Sequence, residues 1–170
     1  KINGPICNLP ENIRSTILDK FAEILPSKYV LLDSINKDKL NWIYLSSNPN
    51  AIDLLKENKH KIAWGMLSMN TNPNAIDLLK IRIEYENSLS SLDYNNLNYC
   101  EKINWDKLSS NPNAIDLLKE NKHKIDWNML SMNTNPNAIK LLKENKLEID
   151  WGMLSMNTNP NAIKLLKERI

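Results

Sequence analysis

Apolar positions along this chain fall at helical spacing in short blocks, and the blocks recur. Ala51, Ile52, Leu54 and Leu55 form one such stripe, preceded by Asn48 and Pro49. An asparagine before the first turn can accept from free backbone amides, and proline at the first helical position gives up no needed donor, so the pair predicts a helix start. Asp53 near the start and Lys56 near the end complement the helix dipole. The string Asn-Pro-Asn-Ala-Ile returns with its proline at Pro49, Pro73, Pro112, Pro136 and Pro160, at intervals of 24, 39, 24 and 24 residues. Asn58, Asn121 and Asn145 stand where a left-handed C-terminal cap is expected.

Each string follows a Trp-x-x-Leu-Ser element, with tryptophans at Trp42, Trp64, Trp105, Trp127 and Trp151. Asn41, Asn104, Asp126 and Asp150 precede four of them as N-caps, and Leu40, Ile103, Ile125 and Ile149 precede the caps. Leu45, Leu108, Leu130 and Leu154 follow five positions after those residues, which is the spacing of a hydrophobic staple. Ala63 occupies the cap position before Trp64, so that helix start is expected to fray. A six-residue helix does not hold itself together. Packing between units must therefore stabilise it, and tryptophan, which buries about 200 Å², is the expected core contact.

These elements predict an all-α fold, a right-handed solenoid of helix-turn-helix repeats of 22–24 residues. A leucine-rich-repeat-like α/β solenoid, with Leu-Ser-Met as a strand, is the alternative. Residues 1–41 read as an N-terminal helical cap, with Ile13, Ile17, Phe21 and Ile24 on one face. Repeats 1–2 occupy 42–80 and repeats 3–5 occupy 105–170, and 105–143 nearly copies 42–80 at an offset of 63. Residues 81–104 form an irregular insertion between them, in which Leu92–Leu97 parallels Ile125–Leu130 as half a repeat. Such an interruption is expected to bend the array or to protrude from it. As the least repetitive stretch after the cap, it is the first place to expect a functional surface.

Composition narrows the function classes. With 42% hydrophobic and 25% charged residues the chain falls in the globular range, and a net charge of +2 gives no field for nucleic acid or an anionic membrane. No apolar run reaches the ~18 residues a membrane span needs. Cys7 and Cys100 are far apart and fit free thiols in a reducing compartment. His60 and His123 share one repeat position in Lys-His-Lys turns with no ligand partners, and Gly4, Gly65 and Gly152 make no phosphate loop. No catalytic, cofactor or metal site is expected. The excess of asparagine, lysine and isoleucine is read as coding bias in an AT-rich genome. Positions that vary between units are Ile43-Tyr44, Gly65-Met66, Asp106-Lys107, Asn128-Met129 and Gly152-Met153 on the first helix. On the second they are Asp53, Asp77, Asp116, Lys140 and Lys164, a change from acidic to basic along the chain.

The run Trp-x-x-Leu-Ser-x-Asn-Pro-Asn-Ala-Ile-x-Leu-Leu-Lys-Glu-Asn, seen best at 105–121, resembles repeats of giant (nucleocytoplasmic large DNA) virus proteins. The resemblance covers 42–80 and 105–170 and implies a viral repeat protein in the host cytoplasm or in a virion. Leu9-Pro10-Glu11 with Ile13, Ile17 and Leu18 is similar to the opening of an F-box, which implies a ubiquitin-ligase adaptor, although a plain helix cap needs no more than these residues. The expected function is non-catalytic protein–protein interaction, with a structural virion component as the alternative. Self-association is expected through the C-terminal end, where Ile163, Leu165, Leu166 and Ile170 lack a polar cap. A nucleic-acid-binding repeat protein is a further alternative, which the small net charge disfavours, and no membrane partner is expected.

Overall fold

Four of the five tryptophan helices begin where their cap residues place them. In a computed structural model, residues 39–169 are described, and the chain divides into a unit of 1–40 and a unit of 41–170. The cap and F-box readings of residues 1–38 lie outside the described residues. The first helices are α1 (Trp42–Ser47), α3 (Trp64–Leu67), α6 (Trp105–Ser110), α8 (Trp127–Met132) and α10 (Trp151–Ser155). Asn41 accepts from Ile43 N and Tyr44 N, Asn104 from Lys107 N, Asp126 from Met129 N and Asp150 from Met153 N. The second helices are α2 (Ile52–Glu57), α4 (Ala75–Ser88), α7 (Ile115–Glu120), α9 (Pro136–Glu144) and α11 (Pro160–Lys167). The last two start on their prolines under Asn135 and Asn159 caps, whereas Pro49 opens a short 3-10 turn that α2 continues. A separate helix, α5 (Ser91–Asn96), lies in the insertion.

The described residues are mostly helical and contain no strand. Leu130, Ser131 and Met132 lie inside α8, so the α/β alternative is disfavoured: the Leu-Ser-Met segment is the last turn of a capped helix. The tryptophan helices pack side by side, α1 with α3, α6 with α8 and α8 with α10. Their core is aliphatic. Leu67, Leu108, Leu130 and Leu154 from first helices and Leu55, Leu79, Leu118, Leu142 and Leu165 from second helices are almost wholly buried. The tryptophans lie at its edge, each only half-buried against it.

What joins one unit to the next is a file of buried asparagines two residues after each Leu-Ser. Asn70 Nδ2 donates to Ser46 O at 2.9 Å and Asn48 O at 3.0 Å. Asn111 reaches Ser68 O and Asn70 O, Asn133 reaches Ser109 O and Asn111 O, and Asn157 reaches Ser131 O and Asn133 O. Each Oδ1 accepts from the amide two residues on, at Asn72, Asn113, Asn135 and Asn159. A primary amide carries two donors and an acceptor, so asparagine closes all three bonds with one side chain. Those next asparagines repeat the step on Pro49 O, Thr71 O, Pro112 O and Thr134 O. A serine file runs beside them: Ser46, Ser68, Ser109 and Ser131 Oγ accept from Ala63 N, Asn104 N, Asp126 N and Asp150 N of the following unit.

The structure differs from the sequence reading at several local points. Pro73 and Pro112 lie in turns rather than at the first helical position, and α4 and α7 start after them, at Ala75 and Ile115, without a side-chain cap. Asn58, Asn121 and Asn145 are not left-handed; their φ is −126°, −124° and −129°. Each instead turns its Nδ2 back onto the carbonyl four residues earlier, on Leu54, Leu117 and Leu141, and ends the helix that way. The helix after Ala63 starts on Trp64 without a side-chain cap and is short at its far end, at four residues. Its Gly65 amide donates to Cys100 O, a carbonyl brought over by the insertion. In the insertion, α5 starts three residues before the position predicted by the parallel with Asp126, because Ser90 rather than Asp93 is its cap.

Candidate interaction surface

The insertion leaves the file of asparagines unbroken, since Asn111 spans 41–43 residues to reach Asn70 and Ser68. The first, third and fourth units each close in a 3-10 turn, and in the first and third Ile62 N and Ile125 N donate to Lys59 O and Lys122 O. In the second unit α4 runs on, and the Glu86 carboxylate takes the place of that carbonyl: Oε1 accepts from Ile103 N at 2.8 Å and from Arg82 Nε at 3.2 Å. Glu86 is buried and its Oε2 has no partner among the described residues. Arg82 also donates to Glu101 O and lies over the Trp64 and Tyr85 rings. A buried carboxylate is tolerated because the guanidinium and a backbone amide offset its lost hydration. Tyr94 of α5 and Glu86 border one cavity, and burial first, then the Glu86 charge, push the Tyr94 hydroxyl above the ordinary 10.0.

Gly65 fits this crossing. A Cβ there would meet Tyr99 O at 3.2 Å and Lys102 O at 3.4 Å, so the absence of a side chain admits the returning loop. The α5 half-repeat does not join the core: Leu92, the counterpart of buried Ile125, is 71% exposed. The insertion therefore protrudes, with Leu92 and Tyr99 at its surface.

The variable positions divide by helix. On the second helices Asp53, Asp77, Asp116, Lys140 and Lys164 are all exposed, at one register, so the surface changes sign from the third unit to the fourth. Lys140 and Lys164 line a shallow hollow with Pro136, Ile139, Lys143 and Asn161. Lys143 is held by Glu168 at 2.6 Å, whose carboxyl that bond keeps below its usual range. On the first helices the picture is mixed. Ile43, Tyr44, Asp106, Asn128 and Gly152 are exposed, whereas Gly65 is covered.

The half-buried tryptophans carry a further regularity. Cations lie over four of the five rings: Lys61 over Trp42 at 5.0 Å, Arg82 over Trp64 at 5.2 Å, Lys124 over Trp105 at 5.1 Å and Arg169 over Trp151 at 4.5 Å. His60 and His123 are exposed in their turns, Cys100 is exposed with a free thiol, and Cys7 lies outside the described residues. Among the described residues no group of histidine, cysteine and carboxylate side chains has metal-ligand geometry, and no helix is long and apolar enough to cross a membrane. Comparison with family models, with curated proteins and with solved structures finds no match to this chain.

Proposed function

We propose that this chain is a non-catalytic protein-interaction scaffold, a right-handed solenoid whose second-helix face and protruding insertion contact a protein partner. One observation carries the reading. The side chains that recur in every unit are spent on the core and on unit-to-unit hydrogen bonds, while the exposed register Asp53, Asp77, Asp116, Lys140, Lys164 changes from acidic to basic between the third and fourth units over that unchanged frame. Surface that varies over an unvarying frame is how repeat arrays distinguish partners. The resemblance of the repeat to giant-virus proteins extends the proposal to a viral protein of the host cytoplasm or the virion. The test is affinity capture with the full chain and its Lys140→Asp/Lys164→Asp variant, with and without nuclease. Aspartate already stands at this register in three units, so the variant should fold. Nuclease-resistant proteins lost on charge reversal support the scaffold. A nuclease-sensitive catch, or one indifferent to the reversal, overturns it.

A further inference from the structure

We propose that the cleft over Trp127 is a receptor for a lysine or arginine side chain of a protein partner. The inference rests on the interaction reading above and names the chemistry of one contact. Two positions supply the cations that cover the other tryptophans. One is nine residues after the repeat proline, occupied by Arg82 and Arg169; the other is twelve residues after it, occupied by Lys61 and Lys124. In the fourth unit both are changed, to Asn145 and Glu148. Asn145 has its amide on Leu141 O, and among the described residues no cation lies over Trp127. Lys146 opens that turn, but its counterparts Lys59 and Lys122 make no ring contact either, so the register is not one that reaches the indole.

The cleft that results holds about 610 Å³ and is bordered by Asp126, Trp127, Asn128, Leu147, Glu148 and Asp150. Its charge is inverted relative to the first unit. Trp42 is flanked by the neutral caps Asn41 and Ala63 and by a Lys-His-Lys turn, whereas Trp127 is flanked by two aspartate caps and Lys-Leu-Glu. Asp126 and Asp150 each commit Oδ1 to a backbone amide at 2.8 Å, which fixes their carboxylates at the rim. An indole face with carboxylates beside it attracts an ammonium or guanidinium through ring quadrupole and charge together. Leu147 stands at the rim at 101% exposure, where the histidines of the other turns stand, and offers apolar surface to the aliphatic stem of such a side chain. Partner and protein would thus complete between them the contact that the other units complete alone.

The experiment uses the full chain labelled with nitrogen-15 and follows the tryptophan indole signals, with Trp127→Phe assigning the fourth unit's. Acetyl-Ala-Arg-Ala-amide, its lysine analogue and its glutamine analogue are titrated in turn. The basic tripeptides should move the Trp127 signal saturably, and the glutamine peptide should bind about five- to thirtyfold more weakly. Glu148→Lys should abolish the response, since it supplies in cis the cation that Lys61 and Lys124 supply, while Glu148→Gln should only weaken it. A silent Trp127, equal shifts at all five indoles, or an unchanged response in Glu148→Lys overturns the assignment. Because the probe is a free peptide, these outcomes are separate from the capture test, which addresses Lys140 and Lys164.

Discussion

Replacing Asn133 by aspartate keeps the shape of a buried side chain and reverses what it can donate. Asn133 is 1% exposed, with Nδ2 at 2.9 Å from Ser109 O and 3.0 Å from Asn111 O, and Oδ1 at 2.9 Å from Asn135 N. In Asn133→Asp the last bond survives, but an acceptor oxygen faces two carbonyl oxygens. Two bonds worth about 1 kcal/mol each are lost, and a charge is buried against the negative ends of two carbonyls, for a total of about 3–5 kcal/mol. That is a large part of the roughly 5–15 kcal/mol that holds a domain of ordinary size. Urea denaturation followed by far-ultraviolet circular dichroism would measure it, with Asn137→Asp, an exposed position, as the control. The deficit also has a predicted pH dependence. The buried carboxyl should have a folded-state pKa above its unfolded ~3.9, so the folded state binds the proton more tightly. The deficit is then smallest below the unfolded pKa and grows as pH rises through the folded one. A variant within about 0.5 kcal/mol of the parent at neutral pH, or one with no recovery on acidification, would refute the claim that these asparagines join the units.

Other perturbations test the insertion and the tryptophans. Gly152→Ala should be close to neutral, because a helix-propensity gain of up to about 1 kcal/mol is set against a Cβ at 3.2 Å from the Asp150 cap oxygen, whereas Gly65→Ala, pressed against two loop carbonyls, should melt below it and expose the 98–102 loop to proteolysis. Glu86→Ala strips Arg82 and Ile103 N of their shared acceptor and should cost about 3–5 kcal/mol in chemical denaturation; a cost under about 1 kcal/mol would mean that the insertion is held by other contacts. Trp127→Ala should cost about 1–3 kcal/mol, less than a core tryptophan, because the ring is half-buried. Loss of all helical signal in that variant would place Trp127 deeper than the structure does. The Tyr94 hydroxyl should ionise above its ordinary 10.0, read as the ultraviolet difference between the parent and Tyr94→Phe, and Glu86→Gln should lower it again.

The features legible in the sequence are those whose partners lie within four residues. Asn41, Asn104, Asp126 and Asp150 cap their helices because a short side-chain oxygen there meets only nearby amides, and Asn135-Pro136 and Asn159-Pro160 start helices for the same local reason. The helical period of Ile52, Leu55, Ile139 and Leu142 likewise fixed the buried face. The asparagine file was hidden because its bonds cross 22–43 residues and because asparagine is common everywhere in this chain. Aligned on proline, the units put the important residue at different places, Asn111 beside Pro112 but Asn133 three residues before Pro136. Aligned on tryptophan instead, Trp, Ser and Asn share one register in all five units, and only packing shows that this asparagine joins a unit to its neighbour. Coding bias and a structural amide look alike until a neighbouring carbonyl is found. The tryptophans belong to the same class: periodicity placed them on an apolar face, but which ring faces a cation depends on residues 18–19 positions later, brought over it by the next turn or helix end. Sequence alone thus determined the tryptophan helices and the caps that start four of them, because those are local hydrogen bonds, and tertiary structure decided the joints between units and the surface left over, because those are contacts between distant parts of the chain.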